Sequence, residues 1–442
     1  MKNFKQRALT LLLSGLPLFA SAADLSTIYH EALLNDPQYR AAQSALEAAR
    51  EAKPQAWAAW LPHLNFTAQR IGDETKTTSS SSNLLPLGTR NSNSNRYILS
   101  LSQAIYHHDY VIALRQADDS IAQAVATFDS AKQSLMLRTA VAYFNVLAAR
   151  DSLDFARAEK KAVSEQLHQT QQRFKVGLIA ITDVREAQAG YDQTVAQEIV
   201  AKNALAISYE ALRELTGKMQ PDLNALAKKS PLAPPQPDNI DDWVKTALQQ
   251  NTTLIAAEKS LNIASEEVNR QRAGHYPSLD LTATKTRVDG GTFSTTTYNS
   301  DDTSLILQLN VPLYSGGLTS AMTRQAKYKR QQAREQYEQQ RRSTERQTRS
   351  AFLTLMANIS QVKALKQALT SSETALEATR AGFEVGTRTA VEVLNSQQEL
   401  YHARSNLARA RYDYFLQNLR LKQAAGTLQQ ADLQQINRWL TN

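Results

Sequence analysis

The sequence contains no cysteine. Disulfides are therefore excluded, and so is the N-terminal cysteine that a lipid-anchored protein needs. Glycine (14) and proline (12) are scarce, whereas Ala, Gln and Leu abound, so most of the chain is expected to be helix. Beyond the N-terminus no run of about 18 apolar residues occurs, which leaves no transmembrane helix. There is no Walker loop, no HExxH and no Gly-x-Ser-x-Gly, so no enzyme chemistry and no cofactor are expected. His107-His108 is the only adjacent histidine pair and lacks an evident third ligand, so no metal is expected either. The Arg- and Lys-rich stretch Arg324–Arg349 carries Glu335, Glu338 and Glu345 among its cations, the pattern of a solvated helix face.

What is present begins with an export signal. Lys2, Lys5 and Arg7 precede the apolar stretch Ala8–Phe19, and Ala20-Ser21-Ala22 fits a small-residue cleavage site. Removing residues 1–22 lowers the net charge from +8 to +5, too mild a balance to argue for nucleic acid. The exported chain is then periplasmic, secreted, or held in the outer membrane by β-strands.

Two regions change period from 3.6 to 2. Leu64, Phe66 and Ala68 alternate with polar neighbours, as do Tyr97, Leu99 and Leu101. Strands are expected near 63–71 and 96–106, joined by a polar loop over 73–95. The same pattern returns near 278–288 and 303–313, around a polar loop over 289–302. Each strand has about 9–11 residues, enough to cross a membrane when tilted.

Long helical patterns follow each strand pair, over 109–174 and 318–383. At 1.5 Å per residue each is about 100 Å long. Val163, Leu167, Thr170 and Phe174 form a heptad seam, as do Leu369, Leu376 and Phe383. A further helix follows each one and stops at Gly217 or Gly426. Pro37–Trp60 reads as one helix kinked at Pro54. Placed end to end with the helix from Asp183, it would span one long helix, giving a wall in which continuous helices alternate with stacked pairs.

The chain therefore reads as two repeats. The leader is 1–22, the first repeat 23–220, a Pro-rich linker 221–239, the second repeat 240–426, and a C-terminal segment 427–442. The turns between long and following helices correspond at an offset of 209 residues: Phe174 with Phe383, Val176 with Val385, Gly177 with Gly386, Asp183 with Glu392. With four strands per chain, one copy cannot close a barrel, since the smallest outer-membrane barrels have about eight strands. An open edge in lipid leaves backbone groups unpaired, each worth several kcal/mol. Two copies would fill their own lumen, whereas three give a trimeric 12-stranded β-barrel with an aqueous interior. A non-conducting coiled-coil spacer or adhesin of the periplasm is the alternative.

Thr139–Leu147, Arg173–Val184, Pro312–Gly317 and Val385–Thr389 together resemble the TolC family of outer-membrane exit ducts. The resemblance implies a mainly α protein with membrane β: a homotrimer whose 12-stranded barrel continues as a long α-helical barrel across the periplasm. Segments 221–239 and 427–442 would join an equatorial belt. It implies partners too: a periplasmic adaptor (membrane fusion) protein, an inner-membrane pump of RND, ABC or MFS type, and outer-membrane lipid, but no nucleic acid. Cargo would be drugs, bile salts, dyes or type I secreted proteins.

The resemblance also assigns the turns to a periplasmic gate. Thr182, Asp183 and Arg388 match the family's gate links, while Phe383 stands where the family has a tyrosine and cannot donate its hydrogen bond. Glu392 and Asn395 match a carboxylate ring, with one carboxylate kept and one neutral. Three copies of Glu392 around an axis would repel and attract cations. An Arg388–Asp183 pair between opposed turns is expected. Val176, Gly177, Leu178 and Ile179, with Val385, Gly386 and Thr387, form candidate adaptor-docking tips. Trp57, Trp60, Tyr106, Tyr276 and Tyr314 fall at strand–helix junctions, where an interfacial aromatic belt would lie.

Overall fold

The computed structural model describes residues 22–79, 87–220, 222–227, 232–293 and 296–441. Almost all of the expected leader, together with Pro221 and Pro231 of the linker, lies outside the described residues. The chain begins with α1 (Leu25–Asn35), α2 (Pro37–Arg50) and α3 (Ala52–Ala58), then β1 (His63–Thr77) and β2 (Gly88–Tyr106). Next come α4 (His108–Lys175), α5 (Ile181–Thr216), the short β3 (Ala225–Leu226), α6 (Ile240–Gln250) and α7 (Thr252–Ala273). The rest is β4 (Ser278–Phe293), β5 (Thr296–Asn310), α8 (Leu318–Glu384), α9 (Ala390–Ala425), α10 (Gln430–Asn437) and β6 (Leu440–Thr441).

The expected kink at Pro54 is instead a break three residues earlier. Helix α2 ends at Arg50, and Pro54 falls in the first turn of α3, where a missing N–H is not needed. The strands also differ from expectation, because their pairing runs far into the polar stretches read as loops. Thr77 pairs with Gly88 and Thr292 with Thr297. Ser, Thr and Asn there are polar on both faces, so no apolar alternation marks the strand, yet the backbone ladder continues. At the other end β5 stops at Asn310 rather than 313, since Pro312 has no N–H to donate to a ladder.

The four long strands form one antiparallel sheet in the order β1-β2-β4-β5. Its register sorts the side chains. Leu64 faces Leu101, which faces Ala283, which faces Leu305; Phe66 faces Leu99 and Leu281 faces Leu307. The opposite face carries Asn65, Ser100, Thr284 and Ser304 in one row and His63, Ser102, Thr282 and Ile306 in the next. One face is thus mainly apolar, with Lys285 and Thr303 beside Leu99, and the other mainly polar; Leu64, Phe66, Leu305, Leu307 and Leu309 are all exposed in the single chain. Strands β1 and β5 each keep one unpaired edge.

The sheet leads directly into α4 and α8. Both α7 and α9 pack against α4 and against α8, so they lie one beyond the other between the two long helices. On the other flank of α4 stand α2, α3 and α5. The joints are fixed by caps. Asn251 caps α7 by accepting from the Leu254 N–H at 3.0 Å and donates to the Ala424 carbonyl of α9 at 2.9 Å. Asp36 caps α2 by accepting from the Tyr39 N–H at 2.6 Å and also accepts from the two terminal guanidinium nitrogens of Arg138 at 2.9 and 3.0 Å.

The main core lies at mid-height. Tyr143, Phe144, Leu147, Phe415, Leu419 and Trp243 are buried there, with α1 and α10 packed around them. Each such side chain contributes about 1.5–3 kcal/mol by burial. The two-residue pairing of β3 with β6 ties the segment before α6 to the C-terminal segment. Within the described residues no helix is long and apolar enough to cross a membrane.

Candidate functional site

The ends of the long helices farthest from the sheet form two hairpin turns, α4–α5 and α8–α9. Each turns on a glycine in the left-handed region, Gly177 (φ 78°) and Gly386 (φ 81°), a conformation that strains any residue with a Cβ. The seams bring the two hairpins together. Gly190 of α5 lies against the Leu394 side chain of α9, with no room for a Cβ unless that leucine moves. A small cluster of Leu376, Phe383, Ala390, Val393 and Leu400 packs the α8–α9 pair just above its turn.

The α8–α9 turn is closed by its own polar groups. Thr389 and Glu392 cap α9 reciprocally: the Glu392 carboxylate accepts from the Thr389 N–H at 2.7 Å, and the Glu392 N–H donates to the Thr389 hydroxyl at 3.3 Å. Arg388 donates to the other Glu392 oxygen at 2.6 Å. The Thr389 N–H, then the Arg388 guanidinium, hold the Glu392 carboxyl below the usual carboxylate range. The Arg388 stem lies over Gly382, where an added Cβ would come within 2.6 Å of the Arg388 Cγ.

Within one chain the expected Arg388–Asp183 pair is therefore not formed. Asp183 accepts from the Ala180 N–H at 3.3 Å and serves its own helix start. Arg388 has a carboxylate four residues further along its own turn, in the first turn of α9, and so near a partner forms with less chain ordering than one on another hairpin. Thr182 and Asn395 are exposed, while Phe383 is buried. Sequence reasoning passed over Arg173. Its guanidinium lies 4.4 Å from the Phe383 ring centroid and donates to the Phe383 carbonyl at 3.4 Å. Its position at the end of a heptad seam, one turn before Gly177, was the available signal.

At the tips, Val176, Leu178 and Val385 are exposed, with Leu178 at 73 %, and Gly177, Gly386 and Thr387 are exposed beside them. Ile179 is half-buried. Of the five junction aromatics, Trp57, Tyr106, Tyr276 and Tyr314 are exposed. Trp60 instead packs edge-on against Tyr110, with centroids 6.0 Å apart. His107 is held by Asp280 at 2.9 Å and stacks on Tyr110, which accounts for it structurally; among the described residues no cluster suited to a metal occurs.

The chain matches the family model of outer membrane efflux proteins over residues 28–218 and 243–427. It is 39% identical to outer membrane protein TolC of Vibrio cholerae over 443 residues, covering 96% of this chain and 97% of that protein. It is 31% identical to the alkaline protease secretion protein AprF of Pseudomonas aeruginosa over 420 residues, covering 94% and 87%. Its fold superposes on the CmeC outer membrane channel of Campylobacter jejuni with a TM-score of 0.79 at 17% identity, covering 94% and 90%. The chain belongs to the outer membrane efflux protein family.

Proposed function

We propose that the protein is an outer-membrane exit channel reaching into the periplasm, through which drugs and type I secreted proteins leave the cell, working with efflux or secretion pumps. One observation carries the reading. A four-stranded sheet with one mainly apolar face, one mainly polar face and two unpaired edges runs straight into helices of about 100 Å. The relatives' names agree with it: one is an outer membrane protein and the other an alkaline protease secretion protein.

The finer assembly is a homotrimer. Two unpaired edges per chain call for edge-to-edge closure, and three copies give twelve strands around a water-filled lumen. The helical edges support it: Ile199, Val200 and Ile207 of α5 and Leu353 of α8 are exposed on the single chain. Two repeats per chain are supported by the matching pairs of helices, 68 and 36 residues against 67 and 36. In this trimer the hairpin turns form the inner mouth, a ring of Glu392 narrows it, and the apolar tips dock a periplasmic adaptor. The exposed junction aromatics mark the lipid boundary.

Planar-bilayer recording of detergent-extracted protein tests this reading. A cation-selective conductance from heat-resistant trimers is expected, and Glu392→Gln reduces both the selectivity and the block by multivalent cations. A monomer soluble without detergent refutes the duct; unchanged selectivity removes Glu392 from the constriction.

A further inference from the structure

We infer that Arg173 is the latch that holds the two hairpins of one chain together at the gate, acting through Phe383. Arg173 belongs to the last turn of α4 and Phe383 to the last turn of α8. These helices belong to different hairpins, and each packs along its length on α9. The arginine therefore reaches from one hairpin to the other. Its guanidinium covers the ring face at 4.4 Å and donates at 3.4 Å to the main-chain oxygen of the same residue.

The chemistry suits a latch. The ring is a fixed target, because Phe383 is buried against Leu376, Val393 and Leu400. Its carbonyl lies in the last turn of a helix, where oxygens lack helical partners and the dipole end is negative, so a cation is favoured there. That oxygen also accepts from the Gly386 N–H at 3.2 Å, so the latch is fastened to the turn itself. A planar guanidinium can stack and donate together, which a lysine cannot do. Among the described residues this is the one side-chain hydrogen bond between the hairpins nearer the turns than the Tyr412–Asp151 and Arg409–Asn145 bonds. The Arg388 guanidinium is bound within its own hairpin, by Glu392. Phe383 has no hydroxyl to form a link of its own, and Arg173 makes use of its ring and its carbonyl instead.

The inference rests on the channel reading, and one set of recordings separates the two. Open probability at rest is measured in planar bilayers for the wild type, Arg173→Gln, Phe383→Leu, the double variant, Arg173→Lys and Phe383→Tyr. Loss of a cation–π contact predicts a rise of about two- to tenfold for Arg173→Gln and for Phe383→Leu. The double variant is expected to rise no further than the larger single effect, because both remove one interaction. Arg173→Lys falls between wild type and Arg173→Gln, and Phe383→Tyr stays near wild type. Additive single effects, or no effect of Arg173→Gln, overturn the latch while leaving the channel reading intact. A wild type that forms no channel overturns the channel reading. Should Arg173→Gln fail to assemble, Arg173→Lys decides: open probability equal to wild type refutes the latch.

Discussion

The joint between α9 and α7 gives the sharpest stability prediction, because two glycines of like conformation meet unlike surroundings. Gly426 ends α9 at φ 76° and Gly217 ends α5 at φ 73°. Alanine at either position is strained by about 1–2 kcal/mol for the left-handed backbone alone. At Gly217 little else is added, since the nearest atom to a new methyl is the Asn35 Cβ at 3.5 Å. At Gly426 the methyl would overlap the Gln250 carbonyl and lie 2.7 Å from the Asn251 Cα, both backbone groups that cannot rotate away. The two stacked helices must part, which adds about 1–3 kcal/mol of overpacking. Parting strains two hydrogen bonds, Asn251 to the Ala424 carbonyl and Gln133 to the Gly426 carbonyl, each worth about 1 kcal/mol. Gly426→Ala should then destabilise the joint by about 3–6 kcal/mol and Gly217→Ala by about 1–2 kcal/mol. Amide hydrogen exchange at 251–255 reads local opening without requiring reversible unfolding of the whole assembly. Protection there should fall by at least about a hundredfold in Gly426→Ala, while the α5 end loses about tenfold in Gly217→Ala. Equal losses at the two joints would refute the argument that backbone contact, rather than conformation, sets the difference.

Two further predictions concern buried polar groups. Tyr412 donates to Asp151 at 2.6 Å, and burial raises the Asp151 carboxyl above the usual range despite that bond. Tyr412→Phe leaves a half-buried carboxylate oxygen without its donor and should destabilise the chain by about 1–2 kcal/mol, measured by denaturant unfolding in detergent. For Asp36, burial pushes the carboxyl up, but the Arg138 guanidinium and the Tyr39 N–H outweigh it and hold the group below its ordinary value. Its stabilisation is therefore complete above the unfolded pKa of about 3.9 and is lost as pH falls through the lower folded value. Asp36→Ala should remove about 2–3 kcal/mol at pH 7, at the low end for a buried pair because the Arg138 side chain is 32 % exposed and can be rehydrated. Hydrogen exchange near Tyr39 should weaken below pH 4 in the wild type and show no such pH step in Asp36→Asn.

The elements legible in the sequence are those set by period. The heptad seams located the long helices to within a residue or two, because a buried stripe on a helix requires apolar residues at that spacing. Gly177, Gly217, Gly386 and Gly426 marked helix ends because few other residues adopt that backbone. The outer lengths of the strands were not legible. Pairing of Thr75 with Arg90 and Lys76 with Thr89 depends on backbone groups, which carry no sequence pattern of their own. The β3–β6 pair went unseen for a related reason: two-residue strands have no period, and their partners lie more than 200 residues away. At the hairpin turns, residue types pointed to the turn but not to the pairing. Arg388 was expected on Asp183, and the geometry places it on Glu392.

That pairing bears on how a mouth of this kind can open. The α8–α9 hairpin is self-contained, with its turn closed by Thr389, Glu392 and Arg388 and its stem packed around Phe383. It can move as a unit without breaking internal bonds. Higher up it is tied to α4 at three levels, through Gln133, Asn145 and Tyr412, and those bonds lie against the large core. Between Tyr412 and the turn the buried face mixes apolar residues with Glu159, Gln166 and Gln397, is closely approached at Gly190, and ends at Arg173. Hydrogen bonds between the hairpins are sparse there compared with the levels above, so less directional bonding must break for that stretch to move. A hinge is therefore expected at the level of Tyr412 and Asp151, with the segment below it swinging once the Arg173–Phe383 contact is released. Hydrogen exchange along α9 should then show protected amides above Tyr412 and a graded loss towards Glu392 in Arg173→Gln. Uniform loss along the whole helix would place the hinge elsewhere.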